Sequence, residues 1–181
     1  MAKCALAAAL MLACAKLFAQ PSQPDVSLEY AVKATYLYKL APFVNWPPGT
    51  FESPSAPFEI CVLGPDPFHD FLERSVAGRW LGTHPLKIRR LSTAKPGDDC
   101  QIVFIGSMRA NKLREALQDF TGKPVLTVTD SADPGSSGSI VQFVMDDGHV
   151  RFEIDNDAAL HNHLTISSKL LDLALAVKGA Q

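Results

Sequence analysis

The chain is 181 residues long, with 47% hydrophobic, 20% charged and 8% aromatic residues, which is the composition of one packed globular domain and excludes a collagen, a coiled-coil array or a wholly disordered chain. A domain near 150 residues buries roughly 70% of the surface its unfolded chain exposes, so a core is attainable without a metal. The formal net charge of -2 leaves no basic footprint for phosphate neutralisation and argues against nucleic acid as a partner.

Lys3, the apolar run from Ala5 to Ala15 and the Leu17-Phe18-Ala19 site ahead of Gln20 predict a secretory signal peptide over residues 1–19. That run is shorter than the roughly 17 to 25 apolar residues of a membrane span, and no later segment approaches it, so the processed chain is predicted to be soluble and to lack a transmembrane span. Met11-Leu12-Ala13-Cys14 loosely resembles a lipoprotein box, which leaves acylation of Cys14 as a second processing route. Cleavage after Ala19 would remove Lys3 and Lys16 and leave 15 basic against 19 acidic side chains, a balance of -4.

Residues 20–26 are polar and proline-rich and predict a short disordered leader, with a single domain over 27–181. Ser27 reads as an N-cap. From Leu28 the spacing of Tyr30, Ala31, Ala34, Leu37, Tyr38 and Ala41 predicts an amphipathic helix in which Glu29 and Lys33 pair at i,i+4. Pro42 should end or kink it before the aromatic exit loop Phe43-Val44-Asn45-Trp46-Pro47-Pro48.

Phe58 to Leu63 predicts a strand, Gly64-Pro65-Asp66-Pro67 a turn, and Phe68 to Val76 a helix. Leu86 to Leu91 alternates apolar with basic residues as a half-exposed edge strand does, whereas Ile102 to Ile105 is apolar throughout, as a central strand is. Arg109 to Phe120 reads as a helix stopped by Gly122, followed by a strand from Val125 to Thr129 and a flexible loop over 130–139. Ile140 to Met145 and His149 to Ile154 flank Asp146-Asp147-Gly148 and predict a type I′ hairpin. A short helix over Asn156 to Leu160 and a last helix capped by Ser167 or Ser168, with Leu170, Leu173, Ala174 and Val177 inward, complete the chain. Strands alternating with helices predict an α/β fold.

Cys4 and Cys14 fall in the signal, leaving Cys61 and Cys100 as the only pair in the processed chain. Two thiols in an exported protein usually bond. A bond between them would close a loop of about 40 residues, for which chain entropy gives roughly 4 kcal/mol. The alternative is two inert buried thiols. Neither has a CxxC neighbour, which argues against a redox or zinc role.

No GxGxxG, GxxxxGK[ST], GxSxG or HExxH occurs, so the chain offers no motif for nucleotide, serine-hydrolase or zinc-protease chemistry and reads as a non-enzyme without a cofactor. His161 and His163, two apart, would diverge by about 200° on a helix and read as solvated surface residues rather than metal ligands. The Gly64-Pro65-Asp66-Pro67-Phe68 turn, at a strand-to-helix step, reads as a tight turn rather than an anion site because each proline removes a donor. Arg151 and Glu153 on the outer hairpin face, with Lys169, form a candidate grip for a small charged ligand; solvated charges are the plainer account. Among Tyr36, Tyr38, Phe43 and Trp46, one helix cannot point both tyrosines the same way. One should face the core, and Tyr38, Phe43 and Trp46 are the candidate partner-binding group, set against plain core packing of all four.

In order along the chain, Glu29-Tyr30-Ala31-Val32-Lys33-Ala34 with Leu37-Tyr38-Lys39, Phe43-Val44-Asn45-Trp46-Pro47, Phe58-Glu59-Ile60-Cys61-Val62-Leu63-Gly64 with Asp66-Pro67-Phe68, Cys100 to Ile105, Gly148 to Ile154, and Ile166 to Leu171 resemble the YfiR-like family of periplasmic regulators over nearly all of 28–177. The resemblance implies a three-layer α/β sandwich with a central mixed sheet, a C-terminal hairpin and flanking helices, exported, dimeric and stapled by Cys61 and Cys100. It also implies a role: binding the periplasmic sensor part of an inner-membrane diguanylate cyclase and repressing it, which lowers cyclic di-GMP and biofilm formation. Asp155 stands where the family often has Asn, Pro42 where it has a helix-compatible residue, and a second cysteine pair of some relatives is missing. The alternative is a periplasmic small-molecule binding domain that signals to another receptor, such as a histidine kinase.

Overall fold

In the computed structural model, which describes residues 25–94, 99–130 and 138–179, helix α1 (Asp25–Leu40) comes first, and Ala34, Leu37 and Leu40 are its buried stripe. The predicted signal peptide, Cys14 and positions 20–24 of the predicted leader lie outside these residues. Asp25 and Val26, the last two leader positions, belong to α1, and Ser27 sits inside the helix instead of capping it. Pro42 ends it: Ala41–Phe43 form one 3₁₀ turn, and Val44 is already extended.

A two-residue strand β1 (Val44–Asn45) follows, then β2 (Phe58–Leu63), α2 (Phe71–Val76), β3 (Trp80–Leu81), β4 (His84–Leu91), β5 (Ile102–Ile105), α3 (Ala110–Gln118) and β6 (Leu126–Thr129). The hairpin β7 (Val141–Asp146) and β8 (His149–Asp155) leads into α4 (Asn156–His161), β9 (Thr165–Ile166), α5 (Ser168–Leu171) and β10 (Ala176–Lys178). β1 pairs with β9, and the other eight strands form one mixed sheet in the order β10-β8-β7-β6-β5-β2-β4-β3. Strands β4, β2, β5, β6 and β7 run parallel, while β8 and β3 are antiparallel to β7 and β4.

The winding follows from handedness. β2 passes through α2 to β4 in one direction, and β5 passes through α3 to β6 in the other, so right-handed crossovers must place the two helices on opposite faces. The core divides accordingly. Phe58, Ile60 and Val62 of β2 and Ile102 and Phe104 of β5 pack with α1 and α2, whereas Cys61, Leu63, Val103 and Ile105 pack with Leu113 of α3 and with Phe120. Covered on both faces, β5 has no polar residue, and all four of its residues are buried. Phe68 is at the centre of the α1 side, edge-on to Phe104 at 4.6 Å and to Tyr30 at 5.7 Å.

The hairpin has the predicted two-residue turn. Asp146 pairs with His149, and Asp147 and Gly148 take φ of 47° and 75°, the left-handed pair that a type I′ turn requires. Two further predictions fail. Phe68 is not helical: Asp66 accepts its N–H at 2.8 Å, His69 takes a positive φ, and α2 starts only at Phe71. The last helix is also much shorter than its periodicity suggests. Ser167 caps it and Leu170 and Leu171 are buried, but α5 stops at Leu171, and Leu173 is 59% exposed. Beyond it, Leu175 donates to Phe152 at 2.8 Å and Val177 pairs with Ile154, so the unpaired edge of β8 captures the tail as β10. Ladder hydrogen bonds here outweigh a marginal helix of a few turns.

Candidate functional site

In open α/β sheets ligands bind outside the carboxyl ends of the strands where the winding reverses, here beyond β2 and β5. In this chain the place is filled. Gly106, after β5, lies so close to the turn after β2 that a Cβ on it would stand 1.9 Å from the Pro65 carbonyl oxygen, and one on Gly64 would stand 2.9 Å from Cε of Met108. The Asp66 carboxylate takes up the Phe68 N–H and receives Arg90 Nε at 2.6 Å, and Arg90 also bonds Glu73. That hydrogen bond holds the Glu73 carboxyl below its ordinary range. The Gly64 to Phe68 segment is thus a self-satisfied turn.

Beside it lies a buried charge cluster that connects α1 to the end of β6. Lys33, Glu29 and Asp130 meet there, with Lys33 Nζ 3.2 Å from the Asp130 carboxylate, and the Tyr30 hydroxyl donates to that carboxylate at 2.9 Å. The side chains of Lys33 and Asp130 are 4% and 3% exposed. Burial first, then the Asp130 charge, pushes the Tyr30 phenol well above its ordinary value. The Glu29–Lys33 spacing was readable as an i,i+4 pair. Asp130 was not, because it belongs by composition to the polar loop that follows; of that loop, positions 131–137 lie outside the described residues.

The sulfurs of Cys61 and Cys100 are bonded, with Cα atoms 5.9 Å apart, and both residues are buried on the α3 side. Arg89, opposite Cys61 on β4, places a guanidinium nitrogen 3.4 Å from Cys100 Sγ and pairs with Glu59 at 2.8 Å.

The candidate aromatic group separates. Tyr36 packs against Phe143 and Phe152 in the core, at ring distances of 6.1 and 6.2 Å. Tyr38 and Phe43 line an open groove of about 530 Å³ together with Pro42, Trp80, Leu81 and Leu86. Trp46, placed with them on sequence grounds, does not line it: its ring stands edge-on to Phe58 at 5.1 Å, and among the described residues its buried indole N–H has no partner. The groove's main aromatic was missed. Trp80, 63% exposed, comes from the two-residue strand β3, too short to register as a periodic pattern. The local signal was Trp80-Leu81 ahead of Gly82, a glycine at φ 58° that turns β3 back into β4. Arg79 holds the groove's wall, its guanidinium 4.7 Å over the Tyr38 ring and its Nε on the Ser75 carbonyl at 2.6 Å.

The charged trio is not one site. Arg151 lines a groove of about 800 Å³ between the start of α1 and the hairpin tip, with Glu29, Tyr36, Asp146 and His149. Glu153 lines a separate cleft with Ser139, Gln142 and Lys178 beside β10. Lys169 lines neither groove, and its backbone N–H donates to the capping Ser167 hydroxyl. Residues two apart on a strand share a face, but distance along β8 and the arrival of β10 give Arg151 and Glu153 different neighbours. Among the described residues no group of three or more His, Cys, Asp or Glu side chains could hold a metal, and no helix is long and apolar enough to cross a membrane.

The sequence profile of the YfiR/HmsC-like family matches residues 30–175, from the second turn of α1 to the end of the segment that feeds β10. The chain belongs to this family. The matched stretch contains strands β2 to β8, both disulfide cysteines, the buried Lys33–Asp130 contact and every residue of the Tyr38–Trp80 groove.

Proposed function

We propose that this YfiR/HmsC-like chain is a non-catalytic periplasmic regulator, dimeric, that binds the periplasmic sensor part of an inner-membrane diguanylate cyclase and holds it in an inactive state. Family membership over residues 30–175 is the observation that carries the reading. The buried Cys61–Cys100 bond suits an oxidising compartment. Repression needs no chemistry from the chain, only unequal affinity for two states of the client: a tenfold preference for the inactive state corresponds to about 1.4 kcal/mol. The groove of Tyr38, Phe43 and Trp80 is the surface we assign to the client, since aromatic side chains beside a cation, here an exposed Trp80 with half-buried Tyr38 and Phe43, are the residues that dominate interfaces.

The test is binding of the exported chain to inner-membrane vesicles containing the cyclase. Phe43→Glu should weaken binding at least tenfold with the far-UV spectrum unchanged; equal binding by wild type and variant would reject the assigned face, and no binding by either would reject the cyclase as client.

A second reading has its own support. The groove of about 800 Å³ lined by Glu29, Tyr36, Asp146, His149 and Arg151 has the size of a small-molecule site and carries both charge signs. On that reading the chain reports a periplasmic ligand to another receptor, such as a histidine kinase. A genome in which no membrane-spanning diguanylate cyclase lies beside this gene would favour it.

A further inference from the structure

The main sheet ends differently on its two sides. On one, β10 lies along β8 through three paired residues. On the other, β3 covers only the start of β4, pairing Trp80 with Pro85 and Leu81 with His84, and the Leu86 N–H donates to the Arg79 carbonyl at 3.0 Å. Successive residues of a strand turn their backbone groups to opposite sides, so this bond sets the phase: Leu86, Ile88 and Arg90 aim N–H and C=O away from β2. Gly78, at φ 67°, takes the chain away from the strand before Arg79. Among the described residues nothing accepts the N–H of Ile88 or Arg90. An edge of this kind is a template for one more extended segment.

The aromatic groove abuts the point where the edge opens, because Leu86 belongs to both. Its charged members, Lys39 and Arg79, are both cations, no carboxylate lines it, and Lys87 adds a third exposed cation on the strand, in a chain whose net charge is negative. A second copy of this chain fits poorly there. Edge to edge, it would set Lys87 against the same exposed cation of the other copy, an arrangement that works against self-pairing.

We propose that this edge and groove together receive an extended segment of a partner protein, with acidic side chains flanking an apolar or aromatic anchor. The segment pairs with Ile88 and Arg90 as a new outer strand and lays its anchor between Phe43 and Trp80, while the carboxylates that flank the anchor turn to the other face, toward Lys87. Main-chain bonds give such docking its affinity, and the side-chain groove gives it selectivity. The proposal rests on the regulator reading, in which the segment belongs to the cyclase's periplasmic part.

The experiment uses the full exported chain and a fluorescein-labelled ten-residue synthetic peptide in which valine alternates with glutamate around one central phenylalanine. Anisotropy should show at least tenfold tighter binding than for the same peptide with lysine in place of glutamate. N-methylation of the backbone on the strand-facing side should lose at least tenfold, and so should Trp80→Ala or Arg79→Glu, neither of which removes a buried side chain. In amide exchange, Ile88 and Arg90 should exchange freely in the protein alone and at least tenfold more slowly with the acidic peptide. Equal binding of both peptides, or unchanged exchange at Ile88 and Arg90 in the bound state, would overturn the proposal. Slow exchange at those two amides without peptide, growing with protein concentration, would overturn it in favour of a second copy. The two readings fail separately: edge protection by the peptide without repression of the cyclase rejects only the regulator, whereas full repression by a Trp80→Ala, Arg79→Glu double variant rejects the edge and the groove and leaves the regulator standing.

Discussion

Replacing both bridging cysteines, Cys61→Ala with Cys100→Ala, removes a crosslink between residues 39 apart in sequence. Chain entropy for a closed loop of that length is about 4 kcal/mol, set by what the bond denies the unfolded chain and not by contacts in the fold. With a urea slope near 2 kcal/mol per M, an ordinary value for a domain of this size, the midpoint should fall by about 2 M. The slope should also rise in the variant, because an unfolded chain without the 39-residue loop exposes more surface. Equilibrium unfolding followed in parallel by circular dichroism and by tryptophan fluorescence, with Trp46 against Phe58 as the reporter in the core, measures both quantities. Reductant added to the native wild type should act only as fast as the domain opens, since Cys61 and Cys100 are 0% and 2% exposed. A midpoint shift below about 0.5 M, or rapid labelling of both cysteines in unreduced native protein, would refute the reasoning.

Three further outcomes follow from the buried contacts. Lys33→Met strands the Asp130 carboxylate in a site 3% exposed and should cost about 3 to 5 kcal/mol, most of it recovered when Asp130→Leu is added; additive losses in urea unfolding would contradict this. The Tyr30 phenol has a folded value raised above its unfolded value of 10.0, so the unfolded chain loses that proton first: stability from this group is intact below pH 10 and falls as pH rises beyond it, a fall that a stability-against-pH series should show and that Tyr30→Phe should flatten. Gly106→Ala places a Cβ 1.9 Å from the Pro65 carbonyl oxygen, backbone against backbone, so the variant should be recovered folded in far lower yield than wild type; an unchanged thermal midpoint would show that the two turns part easily.

Much of the architecture was readable because burial on one or two faces leaves a period in the sequence. The unbroken Ile102 to Ile105 run and the alternation of Val150, Phe152 and Ile154 are direct imprints of a two-sided and a one-sided strand. Asp147-Gly148 was legible for a different reason, since few residue pairs tolerate two positive φ values in succession. The tail misled because Leu170, Leu173 and Val177 carry a helical period while the partner that decides their fate, β8, pairs with residues 23 positions earlier in the chain. Asp130 and Trp80 escaped for related reasons: one is polar yet buried by a lysine 97 positions distant, the other lies in a strand of two residues. Trp46 looked like part of an exposed group because composition cannot say which way a loop aromatic turns; here Phe58 takes it. What stayed out of reach was the site, since both grooves are assembled by segments far apart in the chain, the hairpin tip against the start of α1 and β3 against its end.

The central claim is that the chain restrains a cyclase from outside the cytoplasm, and the cell's own cyclic di-GMP level tests it most directly. In a strain lacking the gene the level should rise several-fold and return to normal when the chain is supplied with residues 1–19, but not when the same chain is supplied without them. An unchanged level on deletion, or full restoration by the version that stays inside, would contradict the account.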